Sequence, residues 1–322
     1  MMQRLWQRMR LNRFVVLGRV GMDLYADPPG TRIEQAQRFT TAIGGSAGNI
    51  AVALARQGAQ AILLSCVSDD AVGRYCLAEL QRYEVDTTHI NAVGGFARNS
   101  LAVTETRALD CQVVLYRNDA ADDALTVSDV QTVDFTQVSA LIVTGTALAR
   151  QPSREATLCA FAAAKRSGAL VVLDIDYRAN SWATPAEAAR ICQDFAKQCD
   201  IIIGNDDEFG LLAGGYEKGM DYARGLTRDA ALFCVYKKGA AGSVTFTPDY
   251  SFETGIFAVT ALKPMGAGDG FMAGLLAGLA QQHQLEIAVK RGAATAAIIV
   301  AGIGCAPASP DTAALNHFIT QH

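Results

Sequence analysis

Short apolar runs alternate with amphipathic stretches along most of this chain. Runs typical of buried strands lie at 14–18, 61–67, 140–146, 169–176 and 200–205. Stretches with a helical spacing of apolar residues lie between many of them, near 46–58, 70–83, 152–167 and 185–198. Beyond residue 230, strand-like runs at 231–239, 242–247 and 252–259 precede helical stretches near 268–281, 285–301 and 311–319. The alternation predicts an α/β fold: a doubly wound, mainly parallel sheet with helices on both faces.

Two segments interrupt this alternation. Residues 22–44 contain prolines and only weak periodicity, whereas residues 96–118 hold two alternating runs around a polar turn, which is typical of a hairpin. We predict that both segments form a small β-sheet lid inserted into one α/β domain of residues 13–320. A lid over the strand ends would exclude water from a site there. For residues 1–12 we predict a short, flexible leader.

The composition argues against several classes of protein. A formal net charge of −4 is unlike that of nucleic-acid-binding proteins, which usually carry a basic face. No apolar run approaches the roughly 20 residues of a membrane helix, and the basic first residues lack the apolar core of a signal peptide. We therefore expect a cytoplasmic protein without nucleic-acid or membrane partners.

The eight cysteines are scattered and form no CxxC pair. In a long chain without a recognisable signal peptide, this pattern favours free buried thiols over disulfides. The four histidines show no metal-ligand spacing, so the sequence predicts no structural zinc site.

The string MGAGDGF at 265–271 leads directly into an apolar helical stretch. Gly266, Ala267 and Gly268 leave the backbone amides at the start of that helix uncovered. Free amides and the helix dipole both favour phosphate, and Asp269 would lie close to a phosphate bound there. We interpret Asp269 as the base of a phosphoryl transfer, with a pKa that the dipole should lower. The alternative is an ordinary aspartate cap after a glycine turn.

Two other nucleotide-binding motifs do not occur. The chain contains no GxxxxGK[ST], which argues against a P-loop NTPase. The first strand leads into LGRVGMD, whose glycines at 18 and 21 do not make the dinucleotide fingerprint GxGxxG.

Four motifs together resemble the ribokinase, or PfkB, family of carbohydrate kinases. They are GGSAGN at 44–49, NDDE at 205–208, KKGAAGS at 237–243 and GAGDGF at 266–271, in the order and at the spacing of the family. The resemblance covers essentially the whole chain. It implies a kinase that uses ATP, a sugar hydroxyl as acceptor and magnesium. On its own, GGSAGN would be a plain helix start capped by Ser46.

The resemblance also implies roles for individual residues. Asp269 would take the proton from the sugar hydroxyl. The residues implied for the transferred phosphoryl group are Gly266, Ala267 and Gly268, and those for the sugar are Asp23, Gly44, Gly45 and Asn49. Those implied for the nucleotide are Asn205, Lys237, Lys238, Gly239, Gly242 and Gly268, while Glu208 would act on magnesium through water and phosphate. The alternatives are that Asn205 and Glu208 cap a helix, and that a lysine is merely solvated; we expect at most one lysine to contact phosphate.

One position departs from the family pattern. Many members carry Asp and Thr before GAGD, in a DT-x-GAGD pattern tied to a monovalent-cation site, whereas this chain has Lys263 and Pro264. The lysine ammonium could stand in for a bound cation, or the loop could lack one. The resemblance therefore gives no reason to expect potassium activation.

Two arginines narrow the choice of sugar. Arg117 ends the run CQVVLYR, and Arg178 follows the run LVVLDID at the end where open parallel sheets bind ligands. Arginine binds carboxylate bidentately, so the two together favour a sugar acid, with Arg19 as a further candidate contact. The alternative is that each arginine pairs with a protein acid nearby in sequence: Asp119, Asp122, Asp174 or Asp176.

Local strings such as LYRNDAAD and VVLDIDYRANSW are similar to those of family members that phosphorylate 5-dehydro-2-deoxy-D-gluconate at its 6-hydroxyl. Kinases for 2-keto-3-deoxygluconate are the next resemblance, and kinases for neutral sugars such as fructose or ribose, or for nucleosides, are further alternatives. A sugar-binding or regulatory protein with a kinase fold is also open, although the intact Asp269 counts against it. We expect the outer strands of the lid to leave unpaired edges, which a second subunit of a homodimer could cover.

Overall fold

The structure is a computed structural model that describes residues 2–322. In chain order, its strands are β1 (Arg13–Leu17), β2 (Gly21–Asp27), β3 (Arg38–Gly44), β4 (Gln60–Ser68), β5 (Ile90–Val93), β6 (Ser100–Thr104), β7 (Val113–Tyr116), β8 (Ala140–Thr144), β9 (Leu170–Asp174), β10 (Ile201–Asn205), β11 (Phe233–Lys237), β12 (Ser243–Phe246) and β13 (Ser251–Thr254). Its α-helices are α1 (Met2–Met9), α2 (Ser46–Arg56), α3 (Ala71–Arg82), α4 (Val127–Val130), α5 (Ser153–Ser167), α6 (Pro185–Ala196), α7 (Asp206–Ala213), α8 (Gly219–Asp229), α9 (Ala267–Ala280), α10 (Leu285–Val300) and α11 (Thr312–Gln321).

The larger of two sheets has the strand order β13-β12-β11-β10-β9-β8-β1-β4-β5. Neighbouring strands from β11 across to β5 run parallel, whereas β12 and β13 run antiparallel to their neighbours. Strand β1 pairs with β4 on one side and β8 on the other, so the chain reverses its winding direction beside β1. Ligands bind outside the carboxyl ends of the strands at such a reversal. The predicted doubly wound, mainly parallel sheet is confirmed.

Apolar cores lie on both faces of this sheet. Alternate residues of β1 point to opposite faces: Phe14 and Val16 belong to one core, and Val15 and Leu17 belong to the other. All four side chains are fully buried. The first core also contains residues of α1, α2, α3, α9 and α10, and the second contains residues of α5, α6, α7 and α8. Because both faces are covered, the strands read as continuous apolar runs in the sequence.

The smaller sheet is the predicted lid, with the strand order β3-β2-β6-β7. The pairs β2–β3 and β6–β7 are antiparallel, whereas β2 and β6 are parallel and run in register from Gly21–Ser100 to Tyr25–Thr104. This central pair joins the two segments that interrupt the α/β alternation. The prediction of a separate small β-sheet is therefore confirmed.

The start of the chain differs from the expectation. We predict a flexible leader for residues 1–12, but Met2–Met9 form α1, and residue 1 lies outside the described part. Leu5 and Met9 are fully buried in the core that contains α9, and Trp6 Nε1 donates a hydrogen bond to the carbonyl of His283 at 3.0 Å. The leader prediction is wrong for residues 2–9, because apolar residues four apart give this basic segment one face that packs.

All eight cysteines carry free thiols in the structure, and most of them are buried. Within residues 2–322, none of the helices combines the length and the apolar character that crossing a bilayer requires.

Candidate active site

A cavity of about 1360 Å³ lies between the lid and the carboxyl ends of the parallel strands. Asp174 at the end of β9, Asn205 at the end of β10 and Lys237 at the end of β11 line it from the sheet. Thr104 of β6 and Val113 of β7 line it from the lid. A pocket for one small molecule usually holds about 300–1,000 Å³, so this cavity has room for two ligands side by side.

The amino-terminal tip of α9 forms part of the cavity wall. Gly266 is the N-cap, with φ at 80°, and the wall continues through Ala267 and Gly268. The first hydrogen bond within the helix runs from Gly270 N to Gly266 O at 3.0 Å, so the amides just before Gly270 have no acceptor in the helix. A side chain at position 266 would collide with Cys305 Sγ, and the left-handed φ also favours glycine. The tip therefore presents amides that can bind an anion.

Asp269 lies in the first turn of α9 and lines the same cavity. Asn49 of α2 donates its Nδ2 to Asp269 Oδ2 at 2.8 Å, which joins two motifs 220 residues apart. Burial and the neighbouring Asp176 carboxylate raise the pKa of Asp269 to about 6, although Asn49, Arg178 and Arg19 act in the opposite direction. The expectation that the helix dipole lowers this pKa is wrong, because the loss of solvent dominates. A carboxyl group that titrates near neutrality is better suited to general-base work.

Asp23 and the GGSAGN motif meet in another part of the wall. Asp23 on β2 is almost fully buried, and the Tyr25 hydroxyl donates a hydrogen bond to its Oδ2 at 3.0 Å. Gly44 does not itself line the cavity, but a side chain there would collide with the Asp23 carboxylate. Gly45 does line the cavity and is the N-cap of α2. The sequence thus brings Asp23, Gly45 and Asn49 to one cavity, with Gly44 making room for the carboxylate.

Asp174 and Asp176 also line the cavity, although the sequence suggests them only as partners for arginine. Burial raises the pKa of Asp174 well above its usual range. The Asp176 carboxylate binds Arg178 Nη2 at 2.9 Å and accepts a hydrogen bond from the Ser46 hydroxyl. The suggestion that Ser46 caps α2 is therefore wrong, since its hydroxyl points to Asp176 and Gly45 is the cap. The signal for this pair was the polar DID at the carboxyl end of a buried parallel strand.

The two lysines of KKGAAGS point in different directions. Lys237 lines the cavity, and its Nζ lies 3.1 Å from the position that a Cβ at Gly268 would occupy. Lys238 does not line the cavity, and its Nζ lies 3.5 Å from Glu253 Oε1. One lysine therefore approaches the tip of α9, and the geometry contradicts the assignment of Lys238 to the nucleotide.

Another part of the wall is largely apolar. Gly239 and Gly242 line it beside residues of the 255–261 segment and of α10. Its apolar side chains are Ile256, Phe257, Val259, Ala293, Ala296 and Ala297. A wall of this composition suits a flat aromatic base bound next to a phosphate-binding tip.

Asn205 and Glu208 cap α7 and line the cavity at the same time. Asn205 Oδ1 accepts a hydrogen bond from Glu208 N at 2.8 Å, and Glu208 Oε2 accepts one from Asn205 N at 2.7 Å. Glu208 Oε1 accepts a third from Tyr177 N at 3.2 Å. Residues 2–322 contain no group of three or more His, Cys, Asp or Glu side chains placed to hold a metal. The residues fit magnesium only in the indirect way, with most ligands from phosphate and water.

Arg117 does not line the cavity, contrary to its assignment to the substrate. Its side chain is 3% exposed and binds Asp122 bidentately, with Nη1–Oδ1 at 2.7 Å and Nη2–Oδ2 at 2.6 Å. Nη2 also donates to Asp123 Oδ1 at 2.9 Å, and Nη1 donates to Ser100 Oγ at 3.0 Å. These contacts tie the base of the lid to the 3₁₀ turn Ala121–Ala124. Arg117 therefore pairs with acidic side chains of the protein, which was the alternative to a contact with the sugar.

Two other arginines do line the cavity. Arg178 is half-exposed, and the adjacent Asp176 carboxylate raises the pKa of its guanidinium. Arg19, between β1 and β2, is 8% exposed, and its Nε is buried without a hydrogen-bond partner among residues 2–322. Burial, together with the guanidinium groups of Arg117 and Arg178, lowers the pKa of Arg19. The carboxylates of Asp176 and Asp122 act in the opposite direction. A buried donor without a partner is costly, so the Nε of Arg19 is suited to an anionic ligand in the cavity.

The comparison with known families agrees with this geometry. The model of the pfkB family of carbohydrate kinases matches residues 11–312. The chain belongs to the pfkB family. This pfkB kinase is 39% identical over 310 residues to the 5-dehydro-2-deoxygluconokinase of Photobacterium profundum, covering 95% of this chain and 94% of the relative. It is 34% identical over 314 residues to the 5-dehydro-2-deoxygluconokinase of Geobacillus kaustophilus, covering 96% and 94%.

Among solved structures, the pfkB kinase superposes on a double mutant of the fructokinase from Vibrio cholerae O395 with a TM-score of 0.85 and 28% identity. The match covers 95% of this chain and 98% of the fructokinase, which was solved with fructose, ADP and a potassium ion. The fructokinase was also solved with fructose, ADP and a calcium ion. Structural neighbours of the family thus hold an adenine nucleotide and a metal ion. The predicted ribokinase-like fold and carbohydrate kinase activity are confirmed.

Proposed function

We propose that this kinase transfers the γ-phosphoryl group of ATP to the primary hydroxyl of a sugar acid, converting 5-dehydro-2-deoxy-D-gluconate to its 6-phosphate. One observation carries the proposal: Asp269, at a tip of free amides, shares its cavity with Arg178 and with Arg19, whose buried Nε has no hydrogen-bond partner among residues 2–322. Two relatives that are 34–39% identical to this chain are 5-dehydro-2-deoxygluconokinases, and this similarity supports the choice of acid. A neutral sugar would leave the Nε donor of Arg19 without a partner, although the carboxylates of Asp23, Asp122 and Asp176 lie near its guanidinium.

In the proposed reaction, the sugar hydroxyl oxygen forms a bond to the γ-phosphorus while the bond from that phosphorus to the bridging oxygen of ADP breaks. The hydroxyl proton passes to the Asp269 carboxylate, which the 2.8 Å hydrogen bond from Asn49 holds in position. The free amides at the tip of α9 and the Lys237 ammonium stabilise the charge on the transferred group. In a loose transition state, this positioning supplies most of the catalysis.

The proposed cofactors are ATP and Mg²⁺. The apolar wall beside Gly239 and Gly242 suits the adenine, and Lys237 suits the phosphates. Asn205 and Glu208 would hold magnesium through water and phosphate, and the ion would neutralise phosphate charge. We propose no requirement for a monovalent cation, since Lys263 replaces the family's acidic residue before the tip.

For the sugar, we propose contacts from both the lid and the sheet. Asp23 would accept hydrogen bonds from sugar hydroxyls, and the Asn49 amide can donate or accept them. Gly45 allows the sugar to approach the backbone. Arg19 and Arg178 would bind the carboxylate, which is the group that distinguishes this substrate from a neutral hexose.

We further propose one kinase domain of residues 13–320, with segments 22–44 and 96–118 as its lid and as a dimer interface. The lid strands β3 and β7 have an unpaired outer edge. Four large apolar side chains of these strands are between 39% and 58% exposed: Phe39, Val113, Val114 and Tyr116. A second lid could cover both features. Light scattering should give a dimer mass at assay concentration, and a monomer mass contradicts this interface.

An ADP-release assay over a small substrate panel tests the choice of sugar. The panel contains 5-dehydro-2-deoxygluconate, 2-keto-3-deoxygluconate, fructose, ribose and a nucleoside. We expect the highest kcat/KM for the first acid. A higher value for fructose, ribose or the nucleoside would contradict the proposal, and a higher value for 2-keto-3-deoxygluconate would keep the sugar acid but change its identity.

The Arg19→Met variant tests whether Arg19 binds the carboxylate of the substrate. Removing a guanidinium from a desolvated carboxylate costs about 2–4 kcal/mol, which is roughly a 30- to 700-fold loss of kcat/KM for the acids. Neutral sugars should lose little. Arg190→Met, on the exposed surface of α6, is the matched control and should behave like the parent. Equal losses for acidic and neutral substrates would assign Arg19 a structural role instead.

A further inference from the structure

Lys263 is a fully buried lysine three residues before Gly266. It forms no ion pair with any carboxylate among residues 2–322. Instead, its Nζ donates to the carbonyl of Met265 at 2.9 Å, to the carbonyl of Ile299 at 3.2 Å and to Cys305 Sγ at 3.8 Å. An ammonium group has three N–H donors, so these three acceptors use its full capacity.

The surroundings of this ammonium carry no full negative charge in direct contact with it. Burial raises the pKa of the Cys305 thiol to about 11, so the thiol is neutral at physiological pH. The two oxygen acceptors are neutral backbone carbonyls, and that of Ile299 belongs to the last turn of α10, where the helix dipole favours a cation. A buried charge among neutral carbonyl oxygens is the arrangement by which proteins hold a dehydrated monovalent cation.

The three acceptors come from three separate segments around the tip of α9. Met265 directly precedes the N-cap Gly266, Ile299 lies near the end of α10, and Cys305 lies in the loop beyond it. Cys305 also contacts the tip, because a side chain at Gly266 would collide with its sulfur. The ammonium thereby fixes the anion-binding amides relative to α10.

The same contacts continue towards the sugar residues. Cys305 Sγ lies 3.7 Å from the Tyr25 hydroxyl, which donates to Asp23 Oδ2 at 3.0 Å. A cation at the position of the Lys263 ammonium is thus connected to the residues proposed to bind phosphoryl group and sugar alike.

We propose that the Lys263 ammonium is a built-in monovalent cation that positions the tip of α9, so that this kinase needs no potassium for activity. The fructokinase to which the chain is similar was solved with a potassium ion. Here a covalently attached charge would position the tip of α9 at any salt composition. The inference rests on the proposed function only for its turnover readout, because cation binding can also be followed without any substrate.

The first test uses the unaltered enzyme. ADP release is measured in tetramethylammonium chloride and in potassium chloride at equal ionic strength, with the substrate that the panel shows to be best. Turnover should agree within about twofold, well inside the roughly hundredfold effect expected from misplacing reacting groups by 1 Å. Activation of several-fold by potassium would overturn the proposal. Absence of turnover with every sugar would instead count against the proposed function.

Two variants separate charge from shape. Lys263→Met keeps the bulk of the side chain without the charge, and we expect about a hundredfold lower kcat that potassium does not restore. Lys263→Ala leaves space for an ion, so potassium or methylammonium should restore part of kcat. Lys197→Met, at an exposed position after α6, is the control and should match the parent. Parental turnover of Lys263→Met would contradict a positioning role.

Thermal unfolding without substrate gives the second readout. The Tm of Lys263→Ala should rise saturably with potassium relative to tetramethylammonium, whereas the Tm of the parent and of Lys263→Met should not differ between the two salts. Circular dichroism establishes that each variant is folded at the starting temperature. If the Tm of Lys263→Ala does not change with potassium concentration, the carbonyl oxygens do not form a cation site.

Discussion

The two ends of the cavity are built from different parts of the chain. At the end proposed for the phosphoryl group, free main-chain amides and one carboxylate come from a single string, residues 266–269, and one lysine approaches them from β11. At the end proposed for the sugar, charged side chains come from separate segments: Arg19 after β1, Asp23 on β2 and Arg178 after β9. The first end is defined by local backbone geometry, and the second by which charged groups pair with each other. A site formed by main-chain groups can therefore be predicted from a short stretch of sequence, whereas a site formed by side chains depends on the whole fold.

The largest expected effect is at the phosphoryl end. Asp269→Asn should lower kcat by about 10²- to 10⁴-fold, the usual contribution of a general base, because the amide cannot accept the hydroxyl proton. Sugar binding, measured by calorimetry, should persist, since Asn49 and Asp23 remain. Asp194→Asn, at an exposed position of α6, serves as control. Turnover within tenfold of the parent would show that Asp269 is not the base, and the role proposed for the tip of α9 would then be wrong.

The next effect concerns Arg117, the arginine that the sequence assigns to the sugar and the structure assigns to the base of the lid. Arg117→Met leaves the buried Asp122 and the partly buried Asp123 without their partner, which should lower the free energy of unfolding by about 3–5 kcal/mol. Denaturant titration measures this loss. The KM for the acid should change little at temperatures where the variant is folded.

Arg150 provides the matched control for that variant. It is 59% exposed and lies 3.8 Å from the same Asp123, so Arg150→Met should cost at most about 1 kcal/mol. If Arg117→Met instead raised KM steeply and left stability unchanged, the arginine would belong to the sugar end.

The smallest effect is that of pH. Because the pKa of Asp269 is raised to about 6, its base form is lost as pH falls through that value. The kcat/KM should therefore be flat above pH 7 and fall about tenfold per pH unit below 6, to about a tenth of its plateau near pH 5. A profile that stays flat down to pH 4.5 would contradict the raised pKa and restore the original expectation of a low one.

The predictable parts of the fold and the site share a physical cause. Strands such as β1 are continuous apolar runs because both faces of the sheet are covered, and the tip of α9 is visible because glycines uncover its amides. Both properties belong to contiguous residues. The lid and most strand boundaries could therefore be read from the sequence with small errors. The sequence does not predict β5, however, and the predicted run 252–259 extends five residues beyond the end of β13 at Thr254.

The errors in the site concern partners distant in sequence or in the fold. Arg117 has the right chemistry for a sugar carboxylate, but the same chemistry suits Asp122, and only the structure decides between them. The pKa of Asp269 depends on burial and on Asp176, neither of which the helix dipole reveals. Likewise, α1 is ordered because Leu5 and Met9 pack into the core that contains α9, and the local sequence does not show that this core has room for them.

Asp23, which we assign to the acceptor, sits on the cover of the cavity. It lies on β2, an inner strand of the lid, in register with Ala42 of β3 and Ala102 of β6. Ladder hydrogen bonds on both sides make this strand move together with its neighbours. A sugar bound to Asp23 would therefore hold the whole lid in its closed position. Without a bound sugar, the lid would lack this contact. If Asp23 binds the sugar as proposed, ATP alone would meet an incompletely closed enzyme, and the same carboxylate would restrain the transfer of phosphate to water.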